Sequence, residues 1–317
     1  MNIVFVVTGL VLLLLAGDAL VRGAVNLGLR LGVPALIISL TVVAFGTSAP
    51  ELLIAIKAAL NGAPALAIGN VVGSNTANIL MVLGIPALLA GINTSKCDSR
   101  KNYAFMIGAT VIFIALCFMG PIGIWHGVIL LALMGSILTE SFLTAQRHRR
   151  NNKCERVGEP TDIDEADPTM PKWKIALYLV LGLIGLPLGA QILIEGALGL
   201  ARVWGVSESV IGLTLVAFGT SLPELSTTVM AALRKHGDVA LGNAIGSNIF
   251  NLLGIMGITS FFGPLQVPPE ILSFDLWVML GSSLLLLPFV FWRLNITRIW
   301  GAALTGLYIL YLSVLLA

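Results

Sequence analysis

The chain has 317 residues, of which 57% are hydrophobic and only 11% are charged, and its formal net charge is +2. Soluble domains carry about 25% charged residues, so this chain has too few to cover a soluble globule of its length. The composition argues against a soluble enzyme, against a nucleic-acid-binding protein, which needs a basic face, and against a disordered chain, which needs low hydrophobicity. It indicates a protein that crosses a membrane several times.

Ten apolar segments approach or exceed the length of a membrane-spanning helix, about 20 mostly apolar residues. We predict these helices at 3–24, 35–60, 64–90, 103–119, 123–144, 173–201, 207–233, 237–262, 274–292 and 298–317. Their long apolar runs lack the period-two alternation of membrane β-strands. The expected fold is therefore an all-α polytopic membrane protein with ten transmembrane helices.

Lys and Arg residues concentrate on one side of the predicted membrane. The loops on the side away from the termini hold 16 of the 18. Loops rich in Lys and Arg lie in the cytoplasm. We therefore expect both termini outside a plasma (inner) membrane and the 145–172 loop inside. This loop holds 12 of the 34 charges, and we interpret it as a solvated linker. A regulatory calcium site is the less favoured interpretation, because the loop lacks the central Gly and final Glu of an EF-hand.

The two halves of the sequence match when one is shifted by 173 residues. Residues 41–84 and 214–257 are identical at 22 of 44 positions without a gap. The shared elements are GTSAPE (46–51) with GTSLPE (219–224), and GNVVGSN (69–75) with GNAIGSN (242–248).

This repeat predicts how the chain is organised. We expect a first five-helix repeat at 1–144, the linker at 145–172 and a second five-helix repeat at 173–317. Because five is odd, the second half enters the membrane from the opposite side. Inverted-topology repeats of this kind are typical of secondary transporters, whose site lies near the membrane midplane where the repeats meet.

Glu51 and Glu224 occupy equivalent places near the middle of two apolar segments. An ionised carboxylate at the bilayer centre costs about 3 kcal/mol or more, so it marks a candidate functional site. The alternative is a structural ion pair, but no basic residue lies at comparable depth in either segment.

Other polar side chains accompany each carboxylate. Pro50 and Pro223 lack an N–H group and crowd the carbonyl four residues back, which predicts a break in both helices and carbonyl groups that face a cavity. The polar residues of the breaks are Thr47, Ser48, Thr220 and Ser221. Polar stripes with i, i+4, i+8 spacing follow on the next segments: Asn70, Ser74 and Asn78, and Asn243, Ser247 and Asn251. The alternative for these Ser and Asn residues is a role in holding helices together.

All of these ligand atoms are oxygens, and no His or Cys joins them. Hard cations such as Ca²⁺ and Na⁺ prefer this set, whereas Zn²⁺ or copper favours nitrogen or sulfur. Two carboxylates balance the charge of one Ca²⁺ or of two Na⁺. The site therefore cannot hold one Ca²⁺ and two Na⁺ at the same time. Competition at one site, combined with alternating access, is the principle of an antiporter.

At these motifs the sequence resembles the calcium/cation antiporter superfamily, in its sodium/calcium exchanger branch of the prokaryotic type. The resemblance implies ten helices in two inverted halves, with the two first helices sliding across the core. It also implies a set of ion ligands, which includes two backbone carbonyl groups. These ligands are Glu51, Glu224, Thr47, Ser48, Thr220, Ser221, the carbonyls of Ala44 and Ala217, Ser74, Asn78, Ser247 and Asn251.

One departure from the family pattern affects the coupling ions. Some exchangers of this family have Asp where this sequence has Asn251, so the site has one carboxylate fewer. This leaves the number of Na⁺ ions, proton coupling and a K⁺ requirement open.

We therefore expect a Na⁺/Ca²⁺ antiporter that extrudes Ca²⁺, with Ca²⁺/H⁺ exchange or K⁺-dependent Na⁺/Ca²⁺ exchange as alternatives. A cation channel is a different class of function. An intramembrane enzyme is not expected, because the three His residues lie near or beyond the ends of the spans. We expect no cofactor beyond the transported Ca²⁺ and Na⁺. The expected partners are these ions and the lipid bilayer, without nucleic acid or an obligate protein partner.

Overall fold

The computed structural model describes residues 2–94, 99–152, 170–203 and 217–316. Within these ranges the chain is helical, and its only β-type pairings are two isolated bridges. In chain order the helices are α1 (Asn2–Leu31), α2 in two halves (Ala35–Thr47 and Ala49–Leu60), α3 (Pro64–Ala90), α4 (Arg100–Phe118), α5 (Ile124–Asn152), α6 (Lys172–Val203), α7 in two parts (Ala217–Thr220 and Leu222–Leu233), α8 (Gly237–Phe262), α9 (Ile271–Phe291) and α10 (Arg298–Leu316).

Eight of these helices are long and apolar enough to cross a membrane, and α2 makes a ninth if its bent halves form one span. This confirms the predicted all-helical, polytopic class. The count of ten is not reached, because the predicted span 207–233 is described only from Ala217 onwards. In the predicted linker 145–172, α5 continues to Asn152, and residues 153–169 lie outside the described residues.

Two helices, α3 and α8, are the most buried of the candidate spans. Their small and apolar residues pack into the main core, for example Ala67 and Val71 on α3 and Ala240 and Ala244 on α8. The other candidate spans are more exposed and surround this pair, as expected for helices that face lipid. Five of the six residues of the predicted polar stripes are buried on these helices, and Asn70 is partly exposed.

Glycines let α1 and α6 approach closely. A Cβ atom at Gly9 would lie 2.5 Å from the backbone nitrogen of Leu193, and one at Gly182 would lie 2.6 Å from the Cβ atom of Leu20. The 173-residue shift converts one contact into the other, because it relates Gly9 to Gly182 and Leu20 to Leu193. A side chain at either glycine would force the two helices apart.

A second reciprocal pair gives the direction of the helices. A Cβ atom at Gly23 would lie 2.9 Å from side-chain atoms of Leu179, and one at Gly196 would lie 2.7 Å from the backbone nitrogen of Val6. Late residues of α1 thus meet early residues of α6, so the two helices are antiparallel.

The two bridges show the same reciprocity to within one residue. Ile92 and Ile296 exchange backbone hydrogen bonds of 2.9 and 3.0 Å, and Ile122 and Leu265 exchange two of 2.9 Å. The shift relates Ile92 to Leu265 and Ile122 to the residue before Ile296. Equivalent segments of the two halves therefore pair crosswise, as they do across a two-fold axis.

Candidate cation site

The helix breaks predicted from the two prolines are present. Ser48 has φ −85° and ψ 6°, Ser221 has φ −87° and ψ 5°, and a new helical segment begins after each. The halves of α2 meet at an angle of 44°. Because Pro50 and Pro223 lie at the start of the new segments, their missing N–H groups cost no intrahelical hydrogen bond.

The breaks place the two carboxylates at the beginning of a helix. Glu51 and Glu224 both lie in the first turn of the segment that follows the break. The backbone N–H groups and the positive end of the helix dipole favour negative charge there. Both side chains are only 1% exposed.

Neither carboxylate has a basic partner in the part of the chain that the structure describes. Among the described residues, no Lys, Arg or His forms an ion pair with Glu51 or Glu224. The two carboxylates instead interact with each other electrostatically. Within the described part of the chain, neither Glu51 nor Glu224 therefore belongs to a structural ion pair.

A hydrogen bond connects the two breaks. The hydroxyl group of Ser48 donates to Oε1 of Glu224 at 2.9 Å. Thr47, on the preceding turn, has its Oγ1 atom 3.3 Å from the carbonyl oxygen of Ala44 and 3.5 Å from Oδ1 of Asn243. The polar groups of α2 thus meet those of α7 and α8.

Buried oxygens without a hydrogen-bond partner concentrate at this place. In the described residues, eight buried side-chain oxygens are without a hydrogen-bond partner, and six of these belong to predicted site residues. The six atoms, all oxygens, are Glu51 Oε2, Glu224 Oε2, Ser221 Oγ, Ser247 Oγ, Asn78 Oδ1 and Asn251 Oδ1. An unpaired buried polar atom costs about 1–3 kcal/mol, and a bound cation removes this cost for an oxygen. The donor set fits Ca²⁺ or Na⁺.

Asparagines of the polar stripes contact the backbone carbonyl groups of the two glutamates. Asn70 Nδ2 lies 3.5 Å from the backbone carbonyl oxygen of Glu51, and Asn243 Nδ2 lies 3.3 Å from that of Glu224. These two contacts are counterparts under the 173-residue shift. They tie α3 and α8 to the helices that carry the carboxylates.

Three of the remaining predicted ligands, Ser74, Thr220 and Ala44, are buried. Ser74 is 4% exposed and Thr220 is 7% exposed. The carbonyl group of Ala44 already accepts hydrogen bonds from the Ser48 N–H group at 3.1 Å and from the Thr47 hydroxyl at 3.3 Å. For Ala217, the structure gives only its position at the start of the short helix before the break.

Two buried asparagines at the site, Asn75 and Asn248, do not belong to the predicted polar stripes. Asn248 on α8 accepts a hydrogen bond from Asn78 on α3, and Asn75 on α3 accepts one from Asn251 on α8. They follow Ser74 and Ser247 directly, so they lie off the predicted stripes. The signal for them is their identity in both copies of the GNxxGSN element.

Both core helices widen beside these asparagines. Asn251 lies in a π-helical turn, Phe250–Ile255. On α3 the Val82 N–H group donates to the Ala77 carbonyl five residues back, at 2.9 Å. π-Turns inside helices occur frequently at functional sites.

Asp18 and Arg22 of α1 belong to a local cluster of ion pairs. Nε of Arg22 lies 3.0 Å from Oδ2 of Asp18, and Arg234 also forms an ion pair with Asp18. The carboxylate of Asp18 thus offsets one of the two positive charges beside it.

The fold and the site together define a polytopic helical membrane protein with a buried, oxygen-lined candidate site for a cation. The sodium/calcium exchanger protein family matches residues 1–143 and 174–317, and the chain belongs to this family.

Individual relatives cover almost the whole chain. The putative antiporter CaxA of Alkalimonas amylolytica is 36% identical, over 90% of this chain and 88% of the relative. The sodium/calcium exchanger MaX1 of Methanosarcina acetivorans is 33% identical, over 99% and 98%. Among solved structures, the sodium-calcium exchanger NCX_Mj, soaked with zero Na⁺ and Ca²⁺, superposes with a TM-score of 0.81 at 32% identity. That superposition covers 99% of this chain and 98% of the other.

Proposed function

We propose that this protein is a secondary active antiporter that exchanges Na⁺ for Ca²⁺ by alternating access and extrudes Ca²⁺ from the cell. The observation that carries the proposal is the pair of buried carboxylates, Glu51 and Glu224. Within the described residues they have no basic partner and lie among oxygens without a hydrogen-bond partner. Such a site is complete only with a cation. Its two charges match one Ca²⁺ or two Na⁺, so one ion displaces the other.

The ligands in this proposal are the two carboxylates, the oxygens of the helix breaks and the oxygens of the polar stripes. The four unpaired oxygens of Ser221, Ser247, Asn78 and Asn251 support the assignment most directly. Ser48, Thr47, Thr220, Ser74 and the carbonyls of Ala44 and Ala217 complete the proposed set. The Ser48 hydroxyl can bind a cation through its oxygen while its O–H group donates to Glu224. The Ala44 carbonyl already accepts two hydrogen bonds, so its role as a ligand requires a change of partner.

Alternating access follows from ten helices in two inverted repeats, which we also propose. The reciprocal contacts of α1 with α6 support this arrangement, since equivalent helices run antiparallel and meet through equivalent residues. The distribution of Lys and Arg supports an orientation with both termini outside the plasma membrane and the 145–172 loop in the cytoplasm.

The proposal is tested with purified protein in proteoliposomes. A Na⁺ gradient should drive ⁴⁵Ca²⁺ flux, and Glu51→Gln and Glu224→Gln should each abolish it. Glu270→Gln, the same change at an exposed residue outside the site, is the matched control and should keep the flux. Size-exclusion profiles establish that each variant is folded. Flux like that of the wild type in either site variant would overturn the site assignment.

Separate ion gradients identify the coupling ion. Na⁺, K⁺ and H⁺ gradients are imposed one at a time, and Na⁺ also together with K⁺, on vesicles loaded with ⁴⁵Ca²⁺. Na⁺ alone should suffice. Flux driven by a pH gradient without Na⁺ indicates Ca²⁺/H⁺ exchange, and a requirement for K⁺ together with Na⁺ indicates a K⁺-dependent exchanger. Flux that needs no counter-ion and does not saturate indicates a channel.

A further inference from the structure

Two hydrogen bonds between asparagine side chains connect the core helices α3 and α8. Nδ2 of Asn78 donates to Oδ1 of Asn248 at 3.0 Å, and Nδ2 of Asn251 donates to Oδ1 of Asn75 at 3.4 Å. The 173-residue shift converts one bond into the other. All four side chains are at most 1% exposed.

The direction of these bonds decides which atom the site asparagines present. A carboxamide donates only through its nitrogen and accepts mainly through its oxygen. Asn78 and Asn251 both use the nitrogen in the bond, and the Oδ1 atom of each has no assigned hydrogen-bond partner. A cation binds the oxygen and is repelled by the NH₂ group. In the opposite orientation neither asparagine could therefore bind the cation.

The orientation of Asn78 is set by Asn248. Nδ2 of Asn248 donates to the backbone carbonyl of Asn75 at 3.2 Å. Since a carbonyl group can only accept, Asn248 must direct its nitrogen there and its oxygen towards Asn78. Asn78 can then meet that oxygen only with its own nitrogen.

The orientation of Asn251 is set by Asn75, but less firmly. Nδ2 of Asn75 lies 3.8 Å from the sulfur atom of Met279, which is only a weak acceptor. This leaves Oδ1 of Asn75 for Asn251. Both contacts are longer than those of Asn248, so Asn251 is the ligand that turns more easily.

We propose that Asn75 and Asn248 are positioning residues that hold the carboxamides of Asn251 and Asn78 with the oxygen towards the cation. This inference rests on the proposed function, because it assumes that Asn78 and Asn251 bind the ion. Each positioning residue acts on the ligand of the opposite half, so the two repeats depend on each other for a complete site.

The test is a double-mutant cycle on ⁴⁵Ca²⁺ equilibrium binding to the purified full-length protein. Asn248→Leu should raise the Kd about tenfold, which corresponds to the loss of one ligand interaction. In an Asn78→Ala background it should have no further effect, because the residue on which it acts is absent. Asn75→Leu should behave in the same way towards Asn251→Ala, and each should remain additive with the other ligand.

Asn26→Leu is the matched control, because Asn26 is a buried asparagine outside the proposed ligand set, whose carboxamide donates to the Arg22 carbonyl at 2.9 Å within α1. It should not change the Kd. A purely structural role of Asn75 and Asn248 predicts losses that add to both ligand variants alike. That result, or unchanged binding in the Leu variants, would overturn the proposal.

A more conservative substitution tests the positioning role if the asparagine variants do not fold. Met279→Leu keeps the core volume and removes the sulfur that holds Asn75, a change that buried cores tolerate. It should weaken Ca²⁺ binding about twofold to threefold, as expected for a weak sulfur contact, and only while Asn251 is present. An unchanged Kd, or the same loss with Asn251→Ala, contradicts the proposal. Binding is measured without a Na⁺ gradient, so failure of Na⁺-driven flux would refute the proposed exchange separately.

Discussion

The Ser48 hydroxyl donates a 2.9 Å hydrogen bond to Oε1 of Glu224, and this bond joins the break in α2 to the carboxylate of α7. The counterpart hydroxyl, that of Ser221, has no assigned hydrogen-bond partner in the described part of the chain. Two positions with the same residue and the same backbone conformation therefore differ in their contacts. This asymmetry separates the contribution of a hydroxyl to the fold from its contribution to the ion.

Ser48→Ala and Ser221→Ala should differ in the absence of cations. Ser48→Ala removes a donor from a buried carboxylate, so we expect a loss of about 1–3 kcal/mol in the free energy of unfolding. Ser221→Ala removes an unpaired hydroxyl and should leave the cation-free Tm unchanged or raise it. Both should reduce the rise in Tm that Ca²⁺ produces. Thermal unfolding in detergent checks this, and an equal loss of cation-free Tm in both variants would contradict it.

Cations should stabilise the wild-type protein through the two carboxylates. A ligand at 100 times its Kd stabilises a folded protein by about 2.7 kcal/mol. We expect Ca²⁺ to raise the Tm in this way, Na⁺ to compete with it, and a chelator to reverse the effect. In Glu51→Gln and Glu224→Gln the rise should disappear, whereas Glu270→Gln should retain it. A normal Ca²⁺ response in a Gln variant would show that its carboxylate is not a ligand.

The sequence predicts the parts of the site that depend on local chemistry. The missing N–H groups of Pro50 and Pro223 predict the helix breaks, and the depth of Glu51 and Glu224 predicts buried carboxylates. The bond from Ser48 to Glu224 is not predictable in this way, because identical motifs give no reason for unequal partners. It depends on how the two halves pack in this conformation.

Helical periodicity also has limits. Asn75 and Asn248 are missed because a stripe with i, i+4, i+8 spacing selects one face, whereas α3 and α8 are buried on more than one. The end of the first span is placed too early, at residue 24, because Arg22 and Asn26 interrupt the region around its end. The structure continues α1 to Leu31, pairing Arg22 with Asp18 and bonding Asn26 to the Arg22 carbonyl.

Substitutions at the α1–α6 crossing should be sensitive to a single methyl group. In Gly9→Ala and Gly182→Ala the new Cβ would meet atoms of the facing helix at 2.5–2.6 Å, so we expect each to destabilise the protein by about 1–3 kcal/mol. Gly108→Ala is the control, because no described atom outside the helix's own backbone lies within 4 Å of its Cβ position. Alanine forms helix better than glycine by about 1 kcal/mol, so this variant should be more stable. If unfolding measurements show that Gly9→Ala is as stable as Gly108→Ala, the close crossing of α1 and α6 is refuted.

The ion pairs of Asp18 should stabilise the contact between α1 and the turn after α7. Asp18 accepts from Arg22 on its own helix and from Arg234 beyond α7, and it is about one-fifth exposed. Asp18→Asn leaves two guanidinium groups facing a neutral side chain. We therefore expect a loss of about 1–2 kcal/mol, between the values for exposed and for buried pairs.

Two measurements separate this electrostatic effect from a loss of packing. Salt screens partly exposed charges over about 10 Å at 0.1 M, so the difference in Tm between Asp18→Asn and the wild type should shrink as the salt concentration rises. In an Arg234→Gln background, Asp18→Asn should cost less than it does alone, because one of the repelling cations is gone. Equal costs in both backgrounds and at all salt concentrations would show that Asp18 acts through packing, and that the charge does not hold α1 to α7.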